Sequence, residues 1–306
     1  MSDRLKLPPE RDFGFYQRRK HDQWRPVAAP EPPLEAAVAD SHAHIHMLPD
    51  PAWELARCAA NNVGFVCAIT DPSEDGAQLF DGLDQWRADA GASVDVLIAV
   101  GVHPHNAKLY TDAIEGELLR RLQDPRVAAL GEIGLDFHYD LSPRDVQRDV
   151  FRRQIRLAKQ AGLPISLHLR GGEDPKADNA HSEAFAILQQ EDALGPATLL
   201  HCCALPPDEI RPWVKADCHI AYGGALTFKN ADAAREGALL VPENRLLIET
   251  DSPYMAPEPM RGAACTPAHV IFTAAALAAL RGFAPGPDRK RFLETLYANT
   301  RVFYGE

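Results

Sequence analysis

Several things are scarce or missing in this sequence of 306 residues. No stretch approaches the roughly 18 consecutive apolar residues that a membrane helix needs. The opening MSDRLKLPPERDFGF carries no charged-then-apolar leader pattern. Six cysteines occur without a single Cys-x-x-Cys pair. Cys67, Cys202, Cys203 and Cys218 lie in or beside apolar runs, where a free thiol packs as a small hydrophobe. These absences predict a cytoplasmic protein with reduced thiols and no membrane partner. Excess positive charge is missing as well: 32 Lys and Arg face 43 Asp and Glu, a formal net charge of −11. Coating of nucleic acid by bulk electrostatics is therefore disfavoured, although a local basic patch or cations in an acidic site can still hold phosphate. There is no G-x-G-x-x-G after the first strand candidate and no P-loop, so no organic cofactor is expected and an open doubly wound sheet is disfavoured.

The residues present have an organised rhythm. Residues 1–35 stand apart, with paired Arg18-Arg19 followed by Pro26, Pro30, Pro32 and Pro33, which predicts an extended or flexible N-terminal arm. From residue 36, short apolar β-branched runs alternate with longer amphipathic stretches. Strands are predicted over 36–41, 63–70, 94–100, 127–131, 164–168, 197–201, 219–223 and 245–250. They read as continuous rather than alternating apolar segments, as parallel strands covered on both faces do. Helices are predicted over 51–61, 77–90, 111–123, 143–161, 181–192, 207–215, 230–238, 267–280 and 288–304. Ser142-Pro143 and Thr266-Pro267 read as N-caps followed by a first-turn proline, and Gly91 and Gly162 as helix stops. Eight strands alternating with helices predict a single (β/α)8 TIM-type barrel over 36–306.

Polar residues sit at the C-terminal ends of the strand candidates. The first runs into Asp40-Ser41-His42-Ala43-His44, and His103 follows the third. Glu132 follows the fourth, His168 and His201 end the fifth and sixth, and Asp251 follows the eighth. In a barrel these ends converge on one mouth, where active sites are built. His42 and His44, two apart on a strand, face the same side and can reach one ion. His46 continues the alternation, but Pro49 soon follows. A carboxylate such as Glu132 can bridge two cations, and Asp251 can both hold a metal and accept a proton from water. Asp136, in the loop beyond, reads as a supporting group. The donor set is imidazole and carboxylate without thiolate, since the side chains of Cys202 and Cys203 alternate faces beside His201. Such a set suits Zn, Mn, Ni, Fe or Mg without choosing among them.

Taken together, ADSHAH (39–44), GVHPH (101–105), GEIGLDFH (131–138), PISLHLR (164–170), YGGALTFKNA (222–231) and LLIETDSPYMAPEPMRG (246–262) resemble the TatD-type metal-dependent hydrolases, within the wider amidohydrolase-like barrels. The resemblance covers roughly residues 36–305. It implies two divalent ions per subunit (Mg, Mn or Zn), one held by His42, His44, Glu132 and Asp251 and the other by His168 and His201, with Glu132 bridging. It further implies nuclease activity on DNA, or removal of D-amino acids from tRNA. Three positions depart from the family pattern: His201-Cys202-Cys203-Ala204-Leu205 in place of the usual His-Cys-Phe-Ser/Thr-Gly, His46 for a usual Asp, and Cys265 near a usual Asn.

The expected chemistry is hydrolysis by metal-activated water, with Asp251 as general base. His103 is expected to bind the scissile phosphate or protonate the leaving oxygen. His105 and Arg170 are expected to bind substrate. A deoxyribonuclease-type phosphodiesterase leads, with a D-aminoacyl-tRNA deacylase and a non-catalytic metal-stabilised binding protein as alternatives. Nucleic-acid ends or tRNA are the expected partners.

Overall fold

The computed structural model describes residues 6–8, 12–74, 76–91, 93–174 and 178–305. Residues 1–5 and 9–11 of the expected arm, and 75, 92, 175–177 and 306 of the expected barrel, lie outside the described residues. Within the arm, β1 (Phe15–Arg18) and β2 (Trp24–Val27) pair as an antiparallel hairpin. Phe15 is buried, with its ring edge-on to Phe272 at 4.9 Å and the Arg57 guanidinium 5.0 Å above it. Arg57 also donates to the Gly14 carbonyl at 2.5 Å.

The remaining strands are β3 (Val38–Ala43), β4 (Val63–Thr70), β5 (Asp95–Val100), β6 (Val127–Asp136), β7 (Ile165–Arg170), β8 (Thr198–Leu200), β9 (His219–Tyr222) and β10 (Leu246–Ile248). They form one eight-stranded sheet in sequence order, each parallel to its neighbour. Between them run α1 (Pro51–Ala60), α2 (Gly76–Ala90), α3 (Asp112–Arg121), α4 (Arg144–Ala161), α5 (Ala180–Gln190), α6 (Pro207–Lys215) and α7 (Asp232–Ala238). After β10 come α8 (Val270–Leu280) and α9 (Pro287–Phe303). The fold is the expected (β/α)8 barrel, nearly closed. Its seam between β3 and β10 is held by Asp251 N to His42 O (2.9 Å), His44 N to Ser252 O (2.8 Å) and Thr250 N to Asp40 Oδ1 (2.9 Å).

Two apolar layers follow from the strands having both faces covered. Ala39, Phe65, Cys67, Ile69, Ala99, Ala129, Leu199, Ala221 and Leu247 fill the barrel interior, and Phe303 and Tyr304 join them from the end of α9. The Tyr304 hydroxyl donates to Ser41 O at 2.7 Å, and Asn299 donates to Leu246 O at 2.9 Å, so α9 closes the end opposite the mouth. The larger layer lies between strands and helices. Local signals act as expected at several ends: Gly162 caps α4 with φ 68°, and Thr266 forms a capping box with His269. Ser142 differs. Pro143 occupies the N-cap position of α4, and the Ser142 hydroxyl donates instead to His105 O at 2.7 Å.

Two strand boundaries bear on the site. β6 runs five residues past its expected end, with a register shift between Leu130 and Ile133, so Glu132 and Asp136 stand on the strand itself. β10 ends early, and Asp251 follows with φ 57°, a left-handed conformation that Asp tolerates better than most residues. Among the described residues, no helix is long and apolar enough to cross a membrane, and all six cysteines are free.

Candidate metal centre

The mouth of the barrel gathers the expected side chains around one carboxylate. Glu132 is buried, and its two oxygens face different partners. Oε2 lies 3.3 Å from His42 Nε2 and 3.6 Å from His44 Nε2. Oε1 lies 2.6 Å from His168 Nδ1, 3.0 Å from His201 Nε2 and 3.6 Å from His103 Nε2. Asp251 Oδ1 closes the first group, at 3.9 Å from His42 Nε2 and 3.7 Å from His44 Nε2. Among the described residues, three sets place their ligand atoms within 4.8 Å of one another: His42, Glu132 and His201; His42, His44 and Asp251; His103, His105 and His168.

The electrostatics follow from this crowding. Burial pushes the Glu132 carboxyl up, yet the imidazoles of His201, His42, His103 and His168 together bring it well below its usual range. For Asp251 burial is again the largest single influence, outweighed by its hydrogen bond with His44 and by the charges of His201 and His42, so its carboxyl is lowered. Both ring nitrogens of His42 are buried without a hydrogen-bond partner among the described residues. A buried polar atom left unsatisfied costs about 1–3 kcal/mol, and a divalent cation between His42, Glu132 and Asp251 would satisfy Nε2, the nitrogen that faces those carboxylates. The donor set therefore fits the ions that the sequence implies.

Groups behind the ligands fix their orientation. Glu249 is fully buried beneath the mouth, where Oε1 lies 3.2 Å from His201 Nδ1 and accepts from Cys202 N at 2.5 Å. Asp136 Oδ2 lies 3.1 Å from His168 Nε2 and 2.8 Å from His105 Nε2, and its Oδ1 accepts from the amides of His138 and Tyr139. Asp71 Oδ2 accepts from His103 N at 3.0 Å. Gln147 and Gln154, both on α4, bracket neighbouring backbone. Gln154 accepts from Val102 N and donates to Val102 O, and Gln147 does the same at Asp136. None of these brackets was read from the sequence. The only available hint was two glutamines seven apart on an otherwise apolar helix face.

A cleft of about 450 Å³ opens over the centre, lined by His44, His103, His105, Glu132, His168 and Asp251 together with Arg170, Tyr139 and Tyr254. The Arg170 guanidinium stacks 4.7 Å over Tyr139. Phe137 and Tyr222, also near the mouth, are buried in the packing. His46 also lines the cleft, its ring 6.2 Å from that of His44. The structure thus brings His42, His44, Glu132, His168, His201, Asp251, His103 and His105 together, with Arg170 at the rim.

A parallel barrel whose strand ends converge imidazoles and carboxylates in this way defines a class, the metal-dependent hydrolases. Residues 39–305 match the family described as TatD related DNase, and the chain belongs to the TatD family of metal-dependent hydrolases. It is 33% identical over 254 residues to the metal-dependent hydrolase YcfH of Escherichia coli, covering 81% of this chain and 89% of that protein. It is 34% identical over 161 residues to a protein of Enterobacter lignolyticus named 3'-5' ssDNA/RNA exonuclease TatD, covering 52% of this chain and 59% of that one. The crystal structure of YjjV, a TatD homologue from Escherichia coli, superposes with a TM-score of 0.75 at 25% identity, covering 88% of this chain and 98% of that one.

Proposed function

We propose that this protein is a two-cation phosphodiesterase that cleaves nucleotides from the ends of nucleic-acid strands. The observation that carries the reading is the division of Glu132, with one oxygen toward His42 and His44 and the other toward His168 and His201. One carboxylate so shared is suited to bridge two cations. His42, His44, Glu132 and Asp251 would hold one divalent ion, and Glu132, His168 and His201 the second; Mg, Mn and Zn all accept this donor set. Such ions supply Lewis acidity and make water acidic enough to ionise near neutrality.

The remaining steps belong to the chain. Asp251 sits at the cleft edge with its side chain 16% exposed, placed to take the proton from the attacking water. His103 stands beside Glu132 on the opposite side, within reach of the scissile phosphate or the leaving oxygen, and burial lowers its imidazole to about 4, which favours the phosphate role of a neutral N–H donor. His105 and Arg170 offer N–H donors to phosphate oxygens, and Tyr139 and Tyr254, both half-exposed, offer faces on which bases can stack. The exonuclease name of the Enterobacter relative supports this choice of substrate. The free cysteines suit a reducing compartment, and we take the cytoplasm as the setting.

The test is an end-labelled single-stranded DNA assay run beside a D-aminoacyl-tRNA assay, each across Mg, Mn and Zn, with Glu132→Ala as control. DNA shortening that requires metal and Glu132 is expected. Deacylation without DNA cleavage moves the reading to an ester hydrolase, and full activity in Glu132→Ala defeats the bridging role.

A further inference from the structure

The N-terminal hairpin carries a charge balance opposite to that of the chain. Residues 13–30 hold four Lys and Arg (Arg18, Arg19, Lys20, Arg25) against Asp22, with Asp12, bonded to Gly14 N and the Tyr16 hydroxyl, and Glu31 bordering them, in a protein of net charge −11. Arg18 is spent on Asp22, at 2.5 Å. Arg19, Lys20 and Arg25 are exposed and form no ion pair with any described residue.

The hairpin is anchored beside the mouth. Val27 packs against Ala256, Met260 and Cys265, and Ala264 N donates to Lys6 O at 2.9 Å. Lys6 in turn acts on the carboxylate of Asp22 at the hairpin tip. The Val27 packing and the Lys6 carbonyl bond both involve the segment that leaves β10 through Asp251 and supplies Tyr254 and Met255 to the cleft wall. The same segment bears Arg261, exposed and stacked 4.2 Å over Phe228, with exposed Lys229 beside it in the chain. The loop on which Val27 of the hairpin packs therefore carries an exposed basic side chain of its own, Arg261.

We propose that the β1–β2 hairpin, through Arg19, Lys20 and Arg25, binds the phosphate backbone of the nucleic-acid strand beyond the nucleotide seated in the cleft. This rests on the phosphodiesterase reading for its substrate. It adds a chain-specific device that lengthens the bound segment and offsets the global negative charge where the strand must pass.

The experiment compares the wild-type protein with Arg19→Ala/Lys20→Ala/Arg25→Ala. All three side chains are exposed and outside the barrel, so the fold and centre are expected to stand, with an unchanged Tm as the check. Binding of a fluorescein-labelled single-stranded DNA 15-mer is measured by anisotropy across a salt series, alongside hydrolysis of bis(p-nitrophenyl) phosphate. Loss of three phosphate contacts is expected to lower the slope of log Kd against log salt by about 2 and to raise Kd on the order of tenfold at low salt. Turnover of the small diester, which cannot reach the hairpin, is expected to stay unchanged. Equal Kd and equal slope in both proteins overturn the hairpin's role, as does a wild-type protein that does not bind the 15-mer. Failure of the wild type to hydrolyse either phosphodiester in any metal sinks the phosphodiesterase reading instead, and leaves the binding comparison to be judged separately.

Discussion

Asp136 holds His168 from behind: its Oδ2 lies 3.1 Å from His168 Nε2, on the ring edge opposite the Nδ1 that meets Glu132 Oε1 at 2.6 Å. A carboxylate behind a ligating imidazole fixes tautomer and ring orientation and raises basicity, and its loss typically costs 10–100-fold in metal affinity or activity. Asp136→Asn places an amide where the acceptor stood. The expected result is a metal affinity about 10–100-fold weaker by titration calorimetry, with the far-UV spectrum intact. Affinity equal to wild type would remove Asp136 from this role.

Glu249 does the same for His201 and adds a structural duty through its bond to Cys202 N, a residue at φ 47°. Glu249→Ala leaves that buried amide and the His201 Nδ1 unpaired. The expected cost is about 1–3 kcal/mol of stability by urea unfolding. A loss of metal binding comparable to that of Asp136→Asn should accompany it. A stable variant with normal binding would show that water replaces the carboxylate completely.

Much of this was legible in the sequence, because parallel strands announce themselves as apolar runs and because a barrel turns strand ends into neighbours. The candidate ligands at 42, 44, 132, 168, 201 and 251 needed only that topology to meet. What was not legible depends on register and backbone geometry. The shift between Leu130 and Ile133 keeps Asp136 on β6 rather than in a loop, and no local pattern encodes it. The brackets by Asp71, Gln147 and Gln154 join residues more than ten apart through single side-chain amides or carboxylates, which leave no period in the chain. The hairpin in the arm was hidden by its prolines, since Pro26 sits within β2, in a two-stranded sheet where each strand has an open edge.

Gly134 shows how closely β6 and β7 are packed at the centre. It has φ 151°, and a Cβ there would lie 2.0 Å from the His168 carbonyl oxygen. Gly134→Ala must therefore push β7 away at His168, a candidate ligand, or else unfold the pair. Activity is expected to fall at least about 100-fold, since displacements near 1 Å cost that much at a reacting centre. Far-UV circular dichroism and Tm separate displacement from unfolding, and wild-type activity with wild-type Tm would refute the steric account.

Phe15 is the apolar anchor of the hairpin, 3% exposed against Phe272 and His269. Phe15→Ala removes a buried ring, a change that costs about 3–5 kcal/mol in a core. Because the hairpin is peripheral to the barrel, the loss is expected to appear mainly as local release. Limited proteolysis should then cut within residues 12–35 while the barrel fragment stays whole. Cleavage rates equal to wild type would show that Arg57 and Glu35, paired with Arg289 at 2.7 Å, hold the arm without the ring.

Glu54, on α1 beneath the hairpin, makes stability depend on pH away from the metal centre. Burial pushes its carboxyl up to about 7, against the opposing pull of Arg57 and of Thr266, with Asp50 adding to the rise. An acid whose folded value exceeds its unfolded value binds more protons in the native state. Its contribution is fully present below the unfolded value of 4.5 and is lost as pH rises through about 7. Wild-type stability should therefore fall relative to Glu54→Gln between those limits, by at most about 3 kcal/mol, and run parallel to it above. His269, which burial and Arg57 hold well below its usual value of 6.5, works in the opposite sense below that value, and the comparison with Glu54→Gln cancels it. Urea unfolding of both proteins from pH 4 to pH 8 decides the matter. A constant difference across that range would mean that Arg57, 3.5 Å from Glu54 Oε2, keeps the carboxylate ionised throughout.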